Sequence, residues 1–264
     1  MNSSIISDLA KDLPLIGLDQ LPPEAALLSR IDRKYVMEHD RAIDLLRAAQ
    51  RRANQQAATY GSIVAGAQAI ARYQSLYFDT QDRASYQGAA ARRRRRFKVR
   101  TRSYLDTGTS FLEVKTRQNR AGSVKTRIPI AFAPGMHQLT AVERNFVDER
   151  LQDARITATD VGALAPVIST RYDRLSLLQP DGASRVTIDT DLQWGAGGQI
   201  TTAGGLVVVE TKSTTGRSEF DRLLWERRIR PTKISKFGTG CALMWPELPG
   251  NAWARVVRTI NGGK

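Results

Sequence analysis

Cysteine is almost absent from this 264-residue chain. Cys241 is the only one, which excludes a disulfide framework and any cysteine-rich zinc site. Histidine is nearly as scarce. His39 and His137 lie far apart without metal-ligand spacing, which argues against a histidine-bound zinc and against a catalytic histidine dyad. A bound metal would therefore be a hard cation held by carboxylates and phosphates. No apolar run approaches the roughly 20 residues needed to span a bilayer. The opening MNSSIISDLAKDLP carries Asp8 and Asp12 and lacks the apolar centre of a secretory signal. These absences lead us to expect a soluble, intracellular, cytoplasmic protein, recruited to a membrane, if at all, by a partner protein. Internal repeats and long low-complexity linkers are missing as well.

Acidic residues are in the minority. Asp and Glu number 26 against 40 Lys and Arg, giving a formal net charge of +14 and a pI near 10.4. A surplus of that size calls for an anionic partner: nucleic acid, an acidic membrane surface or a phosphate-rich small molecule. The length suffices for one large core with appendages. Helix formers without Pro or Gly fill residues 40–58, with Asp40 as the expected cap. Thr140 and Glu143 make a capping box for a helix over 140–154. A third helix is expected over 218–230, between Gly216 and Pro231, and a short fourth from Ser235 toward Trp245. Between them, residues alternate by two over 72–79, 97–104, 111–117, 124–130, 184–192 and 205–212. This pattern predicts antiparallel strands in a sheet or barrel with helices packed outside.

One parity of these runs is apolar and the other is charged. Lys98, Arg100 and Arg102 oppose Phe97, Val99 and Thr101; Glu113, Lys115 and Arg117 oppose Leu112, Val114 and Thr116. Lys125 and Arg127 share a face, as do Arg185, Thr187, Asp189 and Asp191, and Val208, Glu210 and Lys212. A single strand of this kind is ordinarily a half-exposed edge of a sheet with its charges in water. Five of them, rich in Arg and Lys, are harder to read that way; if the sheet closes with this face inward, the result is a cationic lumen that needs a polyanion to fill it. A divalent cation held by the few acids could sit against that polyanion. The run Arg92–Arg96 reads equally well as a solvated loop or as a guide for an anion. Asp189 and Asp191 read as ion-pair partners of lumen arginines, with metal ligation the less favoured role; Glu113 reads the same way. Trp225 and Trp245 read as core, and His39, His137 and Cys241 as inert.

A series of short motifs resembles the catalytic domain of the vacuolar transporter chaperone (VTC) family, the polyphosphate polymerase branch of the triphosphate tunnel metalloenzymes, which include the CYTH proteins. In chain order they are RIDRKY at 30–35, YFDT at 77–80, KVRTR at 98–102, FLEVK at 111–115, VKTR at 124–127, RYDR at 171–174, RVTIDTDL at 185–192, VVETK at 208–212 and KISKF at 233–237. The resemblance implies an α+β fold, an antiparallel eight-stranded β-barrel tunnel with helices outside. It divides the chain into an N-terminal extension (1–27), the tunnel domain (28–246) and a loose C-terminal tail (247–264). It implies phosphate-binding and catalytic roles for Lys34, Arg100, Arg102, Lys115, Lys125, Arg171, Arg185, Lys233 and Lys236. Glu210 would hold manganese or magnesium, and ATP would be the substrate. CYTH proteins begin with Glu-x-Glu-x-Lys; here Arg30, Asp32 and Lys34 stand in those places, so the first carboxylate is missing. That departure weakens a hydrolase built on a two-carboxylate metal site.

The expected activity is transfer of the ATP γ-phosphate to a growing polyphosphate chain. The alternatives are a tripolyphosphate or nucleoside triphosphate hydrolase of the same fold, and a non-catalytic binder of polyphosphate or nucleic acid. Glu210 speaks against a pure anion binder, because such a protein needs no acid on its cationic face. A nucleic-acid binder should interleave aromatics with the basic residues, and the basic parity carries few, so no nucleic-acid partner is expected.

Overall fold

The computed structural model describes residues 2–23, 31–64, 68–117, 123–214 and 216–262. In chain order the elements are α1 (Asn2–Lys11), β1 (Leu15–Gly17), β2 (Ile31–Glu38), α2 (His39–Gln55), β3 (Gly61–Val64), β4 (Ile70–Asp79), α3 (Ala84–Ala90), β5 (Arg96–Tyr104), β6 (Thr109–Arg117), β7 (Ser123–Ile130) and α4 (Ala141–Asp153). There follow β8 (Ala165–Leu178), β9 (Arg185–Ala196), β10 (Gln199–Thr202), β11 (Leu206–Ser213), α5 (Glu219–Glu226), α6 (Lys236–Met244) and α7 (Ala254–Ile260). The fold is α+β. The strand ladder runs β2-β11-β9-β8-β4-β5-β6-β7. Every pair with a defined register along it is antiparallel; β1 and β3 form a short parallel pair beside it. Among the described residues this ladder ends at β2 and at β7 without joining. The sheet is open, and the closed eight-stranded barrel expected from the resemblance is not formed by its hydrogen bonds.

The chain divides into two compact units: Met1–Arg72 with Tyr172–Leu192 and Thr202–Ile234, and Tyr73–Arg171 with Gln193–Thr201 and Ser235–Lys264. In the first unit the apolar parity of β2, β9 and β11 meets one stripe of α2. Tyr35, Met37, Val186, Ile188, Val207 and Val209 pack with Ala42, Ile43, Leu45, Leu46 and Ala49, and with Phe220 and Leu224 of α5. In the second unit Phe97 and Val99 of β5, Leu112 and Val114 of β6 and Leu76 and Phe78 of β4 pack with Val147 and Leu151 of α4. At about 25 cal/mol per Å² of apolar area removed from water, each such cluster is the main stabilising term of its unit. In both units helices cover the apolar strand face, which leaves the charged parity on the opposite face.

Several helix starts follow local chemistry. Thr140 accepts from the Glu143 N–H at 3.3 Å while the Thr140 N–H donates to Glu143 Oε2 at 2.8 Å, the expected capping box. Ser235 accepts from the Gly238 N–H at 3.1 Å and starts α6. Asp40, expected as the cap of α2, lies inside its first turn; the helix begins at His39 and Glu38 is the capping position, with no side-chain cap. The C-terminal segment expected as a loose tail instead carries α7, and Trp253 at its start is buried. Among the described residues no helix is long and apolar enough to cross a membrane.

Candidate functional site

In the second unit, cross-strand register stacks the charged parity into rows. Lys98, Lys115 and Lys125 stand opposite one another on β5, β6 and β7; Tyr77, Arg100, Glu113 and Arg127 form the next row across β4 to β7; Ser75, Arg102 and Phe111 form the one after. On β5 the reading by twos holds at every position: Phe97, Val99 and Thr101 are buried, and Lys98, Arg100 and Arg102 are half-buried. Like charges placed directly opposite on a sheet repel, so three facing lysines are a cost unless an anion lies on them.

Glu113 partly meets that cost. It is buried, 2% exposed, and takes Arg100 through Nε at 2.8 Å and Nη2 at 2.5 Å, and Lys125 Nζ at 3.0 Å. Burial alone would raise its pKa. The charges of Arg100, Arg102 and Lys125 overcome burial and hold the carboxyl far below the ordinary range. Glu113 is thus a permanent counter-ion of two expected phosphate ligands. Arg100 also donates to the Tyr77 hydroxyl at 3.1 Å, so its guanidinium is oriented from two sides.

The start of α6 reaches the same face. The Phe237 ring stacks on Tyr77 with centroids 5.1 Å apart. Lys98 Nζ donates to Ser235 Oγ at 2.8 Å, which puts Lys98 beside the helix N-terminus and Lys236, its first residue. Free N–H groups and the dipole at that end favour an anion. Trp194 Nε1 donates to the Lys236 carbonyl at 2.6 Å and fixes the turn. Arg171, on β8, is exposed.

In the first unit the rows across β2, β11 and β9 are Asp32–Lys212–Arg185, Lys34–Glu210–Thr187 and Val36–Val208–Asp189. Glu210 therefore sits between Lys34 and Thr187, with Lys212 Nζ 3.4 Å from its Oε2. The Thr232 N–H donates to the Lys34 carbonyl at 2.7 Å, which brings the irregular segment after α5, and exposed Lys233 next to Thr232, to the Lys34 end of this face. Structure thus groups Lys34, Arg185, Glu210 and Lys233 in one unit, and Arg100, Arg102, Lys115, Lys125, Arg171 and Lys236 in the other. Arg30 lies outside the described residues.

Among the described residues no group of three or more His, Cys, Asp or Glu side chains could by itself enclose a metal. Glu210 offers one carboxylate amid cations. That donor set suits a hard cation whose remaining oxygens come from a phosphate ligand and water, as magnesium commonly prefers, and it does not suit a cation held by protein alone.

Arg174 and Asp189 form a bidentate pair, Nε to Oδ1 at 2.5 Å and Nη2 to Oδ2 at 2.7 Å, with Asp189 fully buried. Burial would lower the Arg174 pKa, but Asp189, with Tyr172 and Glu210 adding to it, drives it well above normal. Asp189 is thus the arginine partner expected of it. Asp191 is exposed, with φ of 51°, and is not brought to an arginine among the described residues. Arg174 was not singled out from the sequence although it ends the RYDR motif. On β8 buried positions fall at 168, 170 and 172 and then at 175 and 177, so the alternation slips by one, and no reading by twos assigns Arg174 a face. Asp221 was missed as well. This fully buried carboxylate accepts from the Tyr35 hydroxyl at 2.6 Å, Thr211 Oγ1 at 2.6 Å, the Ser218 N–H at 3.0 Å and Arg33 at 3.3 Å, locking α5 to β2 and β11 on the core side. Only its place as third residue of the Ser218 capping box was visible in the sequence.

Against known structures the chain is similar to a protein from Bacillus halodurans described as an adenylate cyclase candidate, with 15% identity, TM-score 0.44, and coverage of 78% of this chain and 93% of that one. It is also similar to a Hippeastrum protein, proposed as an adenylyl cyclase and described as having a dominant triphosphatase activity, with 18% identity, TM-score 0.49 and coverage of 81% and 95%. A Pyrococcus horikoshii protein aligns at 11% identity, TM-score 0.41, over 79% and 96%. A search of curated protein sequences gives no match. A family model, however, matches residues 29–245, nearly the span expected from the motifs, and by that match the chain belongs to the VTC domain family.

Proposed function

We propose that this protein is an ATP-dependent polyphosphate polymerase, which moves the γ-phosphate of ATP onto the end of a growing polyphosphate chain. The observation that carries this reading is the VTC domain match over most of the chain. The charged strand faces support it, since they supply the residues the reaction requires.

Phosphoryl transfer asks a protein mainly for alignment and charge neutralisation. Arg100, held by Glu113 and Tyr77, presents its remaining N–H donors in a fixed orientation and loses little freedom on gripping a phosphoryl oxygen. Arg102, Lys115 and Lys125 neutralise charge along the same face, and Arg171 and Lys236 serve as further phosphate ligands. The N-terminus of α6 adds backbone donors beside Lys98. On the other unit Lys34, Arg185 and Lys233 bind phosphate, and Glu210 would hold manganese or magnesium together with phosphate oxygens. When bound, that cation supplies Lewis-acid polarisation of the phosphoryl oxygens. The acceptor is already anionic, so no strong general base is needed.

The test is the product of ATP turnover by the pure protein across a manganese and magnesium series. Acid-insoluble polymer with stoichiometric ADP supports the polymerase. Free phosphate equal to ADP without polymer would establish a hydrolase instead. Tight polyphosphate binding without any turnover would leave a binder.

A further inference from the structure

The run Arg92–Arg96 is split by the fold. Arg92 to Arg95 are exposed in the turn after α3, whereas Arg96 is the first residue of β5 and shares the face of Lys98, Arg100 and Arg102. Its direct partner across the ladder is Arg117, the last residue of β6. Arg96 donates to the Arg93 carbonyl at 2.6 Å, which anchors its guanidinium to the turn. Among the described residues no carboxylate pairs with Arg96 or with exposed Arg117. Burial and the facing charge of Arg117 both lower the Arg96 pKa. The next row inward is Lys98–Lys115–Lys125.

Directly facing guanidinium groups with no counter-ion are a standing repulsion, which an anion would relieve. Rows two residues apart on a strand are about 7 Å apart, so the four rows from Arg102 to Arg96 span about 20 Å. A path of that length accommodates more phosphoryl groups than one triphosphate carries.

We propose that Arg96 and Arg117, continuing the lysine row, form an outer binding site for linear polyphosphate, engaged by chains longer than a triphosphate and left empty by ATP. The proposal rests on the polyphosphate reading above. It favours polyphosphate over single-stranded nucleic acid because neither row offers an aromatic for a base to stack on. The Phe237 ring, 5.8 Å from Lys98 Nζ, is buried against Tyr77 and Tyr86, both buried themselves.

The experiment measures affinities of the full chain for tripolyphosphate, long-chain polyphosphate and a single-stranded RNA of matched charge, over a salt series. The variants are Arg117→Ala, Arg96→Ala with Arg117→Ala, and Arg93→Ala as the control for the exposed turn. Arg117→Ala is included because an exposed residue at the end of a strand is removable without unfolding. Long-chain affinity should fall about tenfold in the double variant, and by a smaller factor in Arg117→Ala. Its salt slope should shrink by roughly 1 to 2, one per lost phosphate contact by analogy with nucleic acids. Tripolyphosphate affinity should stay within about twofold, and Arg93→Ala should behave as wild type. Equal losses for both phosphates, or none for the long chain, would overturn the outer site while leaving the polyphosphate reading intact. RNA binding that is tighter than polyphosphate binding and abolished by the double variant would assign the rows to nucleic acid and overturn the proposal. Wild-type protein that binds neither phosphate would overturn the underlying reading itself.

Discussion

Replacing Glu113 by Gln should make the protein less stable and a better anion binder at once. Removing one partner of a buried ion pair typically costs about 3–5 kcal/mol, because the other charge is left uncompensated. Here two circumstances reduce that cost. Lys125 is 42% exposed, so water screens part of its charge. Gln also keeps one carbonyl oxygen for Arg100 to donate to. A loss of about 2–3 kcal/mol at neutral pH is expected, read as a shift in denaturant midpoint with unchanged slope. A phosphate ligand supplies the charge that the variant lacks, so tripolyphosphate should bind roughly tenfold tighter to Glu113→Gln and recover most of the lost stability. Acid separates this effect from a packing defect. The Glu113 pKa is depressed in the folded state, so its contribution is complete above the ordinary carboxylate range and is lost as pH falls below that range toward the folded value. The gap between wild type and variant should close on acidification. A variant as stable as wild type at pH 7, or one that binds tripolyphosphate more weakly, would refute the counter-ion role.

Three further outcomes are expected. Glu210→Gln should retain the melting temperature yet lose metal-dependent turnover by about a hundredfold or more, as for removal of a ligand to a Lewis acid; near-normal rates would sink the assignment. Arg174→Ala should cost about 3–5 kcal/mol in chemical denaturation because Asp189 is left buried without its partner, and Asp189→Asn in the same chain should restore part of it; equal losses in the single and double variants would exclude the pairing. Arg102→Ala should reduce triphosphate affinity and turnover by about tenfold or more, whereas Arg93→Ala should leave both near wild type; the reverse order would show the β5 face assignment to be wrong.

Strand faces and helix caps were legible where order is local. On β5, six successive residues alternate without interruption, and the structure returns the same faces residue for residue, because pleating alone sets that pattern. The capping box at Thr140 and the Ser235 cap are local too. β8 resisted, since its slip between Tyr172 and Leu175 puts Arg174 out of phase with the residues before it. Glu113 was open to two roles in the sequence. Arg100 and Lys125, which decide between them, lie 13 and 12 residues away and meet it only once β5, β6 and β7 pair. Asp221 shows the limit most clearly. Tyr35, its hydrogen-bond donor, is 186 residues distant, so nothing near Asp221 in the chain announces its burial. Closure of the barrel is a property of strand ends, which the period of any one strand does not encode.

The glycines of α6 make that helix dependent on what surrounds it. A side chain at Gly238 would meet the Trp253 ring at 2.2 Å, and one at Gly240 would meet the Trp194 ring at 2.1 Å, so two indoles occupy the space where two Cβ atoms would stand. Two glycines inside nine residues cost about 2 kcal/mol of helix propensity relative to alanine, too much for so short a segment to offset alone. Lys236 is therefore placed by borrowed rigidity. Warming that loosens Trp253 and α7 should fray the first turn of α6 and release Lys236 while the sheet remains intact. Heat would then undo the placement of Lys236 well before it unfolds the rest, and the usual remedy of substituting helix glycines with alanine would deepen the fault.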